Sequence, residues 1–390
     1  MKMTKGVVVI VLTTMAVFSA SLVAKDFSPW AQAKASMQAV WWSDLEDESA
    51  WEIKRARVGV DGEFTPGIYF KVEVDGSNTK KGKGTELKAA FISFSILDNH
   101  MLDVDVGAIT TAFTRPLSGT EYAFINYDIT TSLDAYQYGA MAKGVFLDGM
   151  IGYYLAMVNG EGYGSINVGN GYCYIGRVEI QPFGGKPGKF ADLREGSALK
   201  DDMLAIGLAA AIDNKSETSD YGVTFQNYSS SHFVADLTFR FAGASLFGQY
   251  NMNSYEKKYD GNYWGGINKN VKESNGGFVQ AAYNLGAIGL PNIEPIVKYE
   301  FWKEIVNEGV DDMTFKKANF AVGANWYFAE HKFKLTTEYR HVVKDDYYAT
   351  YITKPGEDYF GARLTYSFSS PKIEGKSAPA QKNLAESTNN

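Results

Sequence analysis

A single cysteine, Cys173, stands among 390 residues. It rules out an intrachain disulfide and leaves no cysteine spacing for a metal. Histidine is nearly as scarce, at four residues. They are His100, His232, His331 and His341, of which His100 and His331 fall in expected short turns, too far apart in sequence for a metal-binding motif. There is no basic excess either: 38 Lys and Arg face 45 Asp and Glu, for a net charge of -7. A nucleic-acid surface carries a basic stripe, so that partner class is set aside. Beyond the first residues no apolar run approaches the ~20 residues of a spanning helix. Proline is held to 10 residues against 39 glycines, with 25 Tyr and 24 Phe, a bias toward strands and tight turns.

The one apolar run is N-terminal. Lys2 and Lys5 precede the apolar stretch Val7 to Phe18, and small or apolar residues follow to Ala24. This order is that of a secretory signal peptide over residues 1–24, cleaved after Ala24. The expected domains are that leader, a barrel over 25–368 and a structureless tail over 369–390, rich in Ser, Pro, Lys and Asn.

Between Ala33 and Phe368 one theme repeats, a run of alternating residues followed by a turn or loop. Sixteen runs are counted, near 33–42, 51–64, 67–75, 87–97, 101–112, 134–146, 150–158, 171–182, 203–213, 230–241, 244–254, 275–285, 293–303, 315–327, 332–343 and 357–368. Connections alternate in length: "TPG", "DNH", "LDG", "AG" and "AEH" are short, whereas "SNTKKGKGTE" and "EKKYDGNYWGGINKNVKES" are long. Short periplasmic turns and long external loops produce this rhythm. The stretch from Gly184 to Asp202 breaks it, being long where a turn is due.

The two faces of the runs differ as lipid differs from water. In "WEIKRARVGVDGEF" one parity holds Ala56, Val58, Val60 and Phe64, and the other Arg55, Arg57, Asp61 and Glu63. "ANFAVGANWYF" splits in the same way, with Phe320, Val322, Ala324 and Trp326 against Ala321, Gly323 and Asn325. A charge on the lipid face costs about 2 to 4 kcal/mol near the midplane. The fold class is therefore all-β, a transmembrane antiparallel β-barrel of about sixteen strands, which leaves an open aqueous channel. Strand-end aromatics such as Trp41, Trp42, Trp51, Trp302, Trp326, Tyr327 and Tyr359 are expected in interfacial girdles.

The expected lumen parity holds Arg55, Arg57, Lys71, Lys143, Arg177, Arg240, Lys298, Arg340 and Arg363, the candidate pore-lining set. It also holds Asp61, Glu63, Glu73, Asp75, Asp103, Asp105, Glu179, Asp236, Glu300 and Glu338. Two readings stand open. In one the bases attract an anion across a constriction; in the other they form cross-strand ion pairs worth little each. Arg55 and Arg57, about 7 Å apart by strand rise, are expected to make their part of the wall locally positive.

Catalytic chemistry finds no constellation. "SSSH" at Ser229 to His232 supplies the residue types of a Ser–His pair but reads as an external loop. "GKGT" at Gly82 to Thr85 lacks the spacing of a phosphate-binding loop. "KKGK" at Lys80 to Lys83 reads as a basic external loop able to meet lipopolysaccharide phosphates. No catalytic residue, metal or cofactor is assigned.

Eight segments carry a family resemblance: "RARVGVDGEF", "VGAITTAFTRPL", "YYLAMVNGEG", "GRVEIQPF", "FVADLTFRFAGASLFGQY", "GGFVQAAYNL", "VGANWYFAEHKFKLTTEYRHV" and "YFGARLTYSF". Taken in order they resemble the phosphate-selective porin O and P family of Gram-negative outer membranes. The resemblance implies a sixteen-stranded barrel, usually a trimer, with an inward-folded third loop. The chain departs from the family at Asn126 and Tyr127, where a Glu-Arg or Asp-Arg pair is expected, and at Gln249, where an acid is common. It also lacks a lysine cluster in the inward loop. The expected function is an outer-membrane porin, a passive diffusion channel for small hydrophilic or anionic solutes, in contact with lipid and lipopolysaccharide. A structural or adhesin-type barrel and a barrel enzyme are the alternatives.

Overall fold

The computed structural model describes residues 29–43, 49–76, 86–114, 136–159, 171–183, 202–220, 223–259, 270–307, 312–329, 333–345 and 358–374. The signal peptide, the 184–201 part of the long connection and residues 375–390 lie outside them. Sixteen strands follow in chain order: β1 (Trp30–Ser43), β2 (Ser49–Thr65), β3 (Ile68–Asp75), β4 (Glu86–Leu97), β5 (Leu102–Thr110), β6 (Tyr136–Phe146), β7 (Ile151–Val158), β8 (Tyr172–Phe183), β9 (Met203–Asp220), β10 (Val223–Phe241), β11 (Ala244–Tyr259), β12 (Asn270–Tyr283), β13 (Ile293–Asn307), β14 (Asp312–Ala329), β15 (Phe333–Asp345) and β16 (Tyr359–Ser369). A two-residue β17 (Ile373–Glu374) continues past β16. Each long strand pairs antiparallel with the next, and β16 returns to β1 from Lys34↔Ser369 to Ser43↔Phe360. The result is a closed sixteen-stranded barrel with no α-helix among the described residues. Closure leaves no sheet edge to pair with another chain.

Every expected run became a strand, and most differences lie at one end. The stretches 214–220 and 223–229, expected as loop, belong to β9 and β10, which stay paired out to Val223↔Asp220. The sequence there, "NKSETSD" and "VTFQNYSSS", is mostly polar, with Val223 and Phe225 its only aliphatic or phenyl side chains. A ladder that leaves the lipid band loses the apolar alternation but keeps its backbone hydrogen bonds. At the other end the turns are tight. β10 and β11 are joined by Ala242 and Gly243 alone, with φ of 47° and 90°, the doubly positive pattern of a type I′ turn. Asp202 Oδ1 accepts from the Ala242 N–H at 3.0 Å and holds that hairpin in place.

The segment expected as a structureless tail begins ordered. Ser369 closes β16, the Ser370 N–H donates to the Ala33 carbonyl at 2.8 Å, and Gln32 Nε2 donates to the Ser370 carbonyl at 2.6 Å. Lys372 Nζ lies 3.9 Å over the Trp30 ring, and β17 pairs with Trp30 and Ala31. The reason is local: β1 begins before the last aromatic of β16, so its first residues need a partner, and 370–374 supply it.

Alternation decides which side chain meets which medium. On β14, Phe320 and Trp326 are 43% and 46% exposed, while Ala321 and Asn325 are at 1%. Val58, Val178, Leu208 and Val297 share the outer face. Near the short turns Trp326, Phe328 and Phe333 form an outward chain with centroids 5.3 and 5.2 Å apart, and at the opposite end Trp41 meets Phe360 edge-on at 6.0 Å. These are the girdles of a membrane barrel. Three residues expected in them are not there. Tyr327 and Tyr359 are buried on the inner parity, and half-buried Trp302 shares the parity of buried Lys298 and Glu300. Strand-end position marks an aromatic for a girdle only when its parity also points outward.

Candidate pore interior

The expected lumen parity is the buried one on every strand that carries it, and most of its charges meet partners. Arg57 Nε lies 2.9 Å from Asp75 and its Nη1 3.6 Å from Glu73, which also takes Lys71 at 3.2 Å. Lys143 lies 2.6 Å from Asp105 and Lys298 2.9 Å from Glu300. The Arg55 and Arg57 pair is therefore no uniformly positive patch. β3 brings two carboxylates against Arg57 through the register Arg57↔Asp75 and Gly59↔Glu73. Sequence parity gave the face, but the register that brings β3 acids to a β2 base depends on the turn and the bulge at Glu63/Thr65.

Arg177 carries the most developed cluster. Its Nη1 lies 2.7 Å from Asp236 Oδ2, its Nη2 donates to Glu179 Oε2 at 3.2 Å, and its Nη1 donates to the Phe113 carbonyl at 3.3 Å. Strand β9 lies between β8 and β10, and its Gly207 faces Glu179 on one side and Asp236 on the other. A Cβ at Gly207 would sit 2.0 Å from Arg177 Nη2 and 2.7 Å from Asp236 Oδ1. The glycine is what lets the guanidinium bridge two strands.

Phe113 follows β5 and starts the connection to β6, the third of the long loops. Thr111, Phe113 and Thr114 are buried, and the Phe113 ring meets the His232 ring of β10 edge-on at 6.3 Å. A contact from just after β5 to β10 crosses the interior, so this loop starts inward. Beneath it the inner wall is apolar: Ile109, Met141, Val158, Cys173, Ile175 and Val234 join Phe113 in one cluster. The wall here carries apolar side chains on the inner parity, and the loop's root packs on them. Asn126 and Tyr127 lie outside the described residues.

"SSSH" is not a loop. Ser230 and His232 are buried on β10, with Ser230 Oγ 2.8 Å from His232 Nε2 and His232 Nδ1 2.8 Å from Asn253 Oδ1 on β11. Asn253 Nδ2 passes the chain on to Ser274 Oγ at 3.0 Å. The ring is flanked edge-on by Phe113 and by Tyr255, whose centroid is 5.7 Å away.

The remaining candidates, Arg240 apart, gather around the seam. Arg363 on β16 is buried and faces Val40 of β1; Gln38, two residues along β1, faces Arg55 on β2. Arg340 on β15 lies over the Tyr359 ring at 5.2 Å. Arg240, on β10, lies by Met203, whose Sδ is 2.6 Å from Nη2. Sequence parity passed over Lys34, 2.8 Å from Asp61, and fully buried Lys334. Lys334 stands two and four residues from Thr336 and Glu338 on the inner parity, so the signal was present. Over β15, β16, β1 and β2 the described inner faces hold Lys34, Arg55, Arg57, Lys334, Arg340 and Arg363 against Asp61, Glu63 and Glu338. Halfway round, β8 to β10 hold Arg177 and Arg240 against Glu179, Asp213 and Asp236. The seam sector is the basic one.

A family model described as phosphate-selective porin O and P matches residues 42–368. No curated protein matches the chain. Solved structures share the fold at low identity. An anion-selective porin from Comamonas acidovorans is 12% identical with a TM-score of 0.55, covering 87% of this chain and 99% of its own. The trimer form of OmpT, an outer membrane protein of Vibrio cholerae, is 11% identical at 0.56, over 88% and 100%. The outer membrane channel DcaP of Acinetobacter baumannii is 13% identical at 0.53, over 90% and 100%.

Proposed function

This chain belongs to the phosphate-selective porin O and P family, and from that premise we propose that its outer-membrane diffusion channel prefers anions because of the basic seam sector. As a porin it is a passive channel for small hydrophilic solutes in a Gram-negative outer membrane. The observation that carries the preference is the excess of six basic over three acidic side chains among the described inner-face residues of β15, β16, β1 and β2. Arg363 and Arg55 flank β1, two strands and two residues apart, or about 10 Å by 7 Å. Guanidinium groups stay charged at any relevant pH, and the ~10 Å screening length at 0.1 M salt spans such a sector. The remaining candidate pore-lining residues, Lys71, Lys143, Arg177, Arg240 and Lys298, then serve as wall pairs and anchors. The reading stops at anions as a class, since the resemblance supplies no inward-loop lysine cluster for phosphate.

A homotrimer and contact with lipopolysaccharide through Lys80 to Lys83 belong to the same reading. Porin fold and family favour a channel over an enzyme, and the Ser230, His232 and Asn253 chain then anchors the third loop through Phe113.

Reversal potentials across a KCl gradient test the preference. Arg55→Ala, Arg340→Ala and Arg363→Ala together should shift the potential toward cation preference, whereas Arg57→Ala alone should move it less. An unchanged potential in the triple variant would place selectivity elsewhere.

A further inference from the structure

We propose that the inner wall of β10 to β13 holds a binding subsite for neutral polyhydroxylated solutes, sugars above all. The inference rests on the open-channel reading but concerns a different wall from the seam arginines. Gln249 and Asn251 stand two residues apart on the inner face of β11, 5% and 0% exposed. Gln249 Nε2 donates to Asn251 Oδ1 at 2.9 Å, which leaves Gln249 Oε1 and Asn251 Nδ2 buried without a partner. Flipping both amides exchanges the roles but still leaves one acceptor and one donor. Thr238 Oγ1, on β10 and level with Phe247, is also buried and unpartnered.

Aromatic rings lie beside these groups. Phe247 and Phe278 meet edge-on at 5.0 Å, and Trp302 packs against them. In one cross-strand row Asn251 faces Gly276, which faces Trp302. A Cβ at Gly276 would lie 2.3 Å from Trp302 Cε3, so the glycine lets the indole lie across β12 toward the Asn251 amide. From Phe247 to Asn251 is roughly 13 Å along the strand, and from β11 to β13 about 10 Å across.

A hydroxyl donates once and accepts twice, so one ligand group answers both the bare amide N–H and the bare carbonyl. An ionised carboxylate has only acceptors and leaves the carbonyl unmet. The C–H face of a sugar ring suits an aromatic surface, with a few fixed polar groups to orient it. Asp236, level with Gln249, is held by Arg177, and Glu300, level with Phe278, is held by Lys298, so the charges beside the patch meet partners of their own.

Maltose titrated onto single channels tests the subsite, with polyethylene glycol of similar size as a probe that lacks hydroxyl donors along its chain. Saturable reduction of current by maltose alone is expected. Asn251→Ala and Trp302→Ala should each raise the half-blocking concentration about fivefold with little change in open current. A non-saturating loss that polyethylene glycol reproduces would mean the amides hold water only, and overturns the proposal. Equilibrium dialysis of labelled maltose against the detergent-solubilised protein reads the same site without current. Binding without current would sink the channel reading alone; current without binding would sink the subsite.

Discussion

Arg177 shows how much one side chain holds when its charge is buried between two carboxylates. With both partners on other positions of the wall and its side chain 2% exposed, its removal leaves Glu179 and Asp236 facing each other without a cation. Arg177→Met should cost about 3 to 5 kcal/mol, read as a lower urea midpoint for the shift between folded and unfolded gel forms; an unchanged midpoint would mean the carboxylates find another cation. A milder group sits at the external mouth. Burial raises Asp358, but hydrogen bonds from the His341 ring, the Tyr339 hydroxyl and the Val342 N–H outweigh it and hold the carboxyl below its ordinary range. A depressed carboxyl contributes stability that is full above its unfolded pKa of about 3.9 and is lost as pH falls through the folded value. Hydrogen exchange at the Val342 amide, corrected for its intrinsic rate, should therefore be protected at pH 6 and lose protection only below the ordinary carboxylate range. Asp358→Asn should abolish that pH dependence, and equal protection in both proteins would contradict the assignment.

At the scale of strands, all sixteen elements were legible because lipid on one side and water on the other impose the strict alternation that "GANWYF" and "RARVGVDGEF" carry. What was not legible has a common cause: the missing information lay in neighbours along the barrel. The outer parts of β9 and β10 hold too few apolar residues to announce them. Trp302, Tyr327 and Tyr359 carry the residue type of a girdle but the parity of the interior. The Arg57 partners on β3 follow from register, and Ser230 with His232 reads as loop until Asn253 of β11 is placed beside them. The end of the chain repeats the lesson, since the ordering of 369–374 comes from the unpaired start of β1. Removing residues 375–390 should leave assembly unchanged. Removing 370–390 strips the hydrogen bonds to Gln32 and Ala33 and should lower the resistance of the β1–β16 seam to urea. Equal resistance of the two truncations would show that the strap contributes nothing.

As a whole the molecule is a cylinder whose outside is solvated by lipid and whose inside is lined by ion pairs, amides and a loop root. Sixteen strands enclose more space than wall side chains fill, and the Phe113 contacts with His232 and Arg177 bring the root of the third loop into that space. The central claim is that water and ions cross through this space. Recording from purified, folded protein in a planar bilayer tests it most directly. The account predicts discrete current steps whose size grows with the conductivity of the bathing salt, arriving in groups of three if the barrels insert as a trimer; folded protein that inserts and gives no steps at any salt concentration would contradict it.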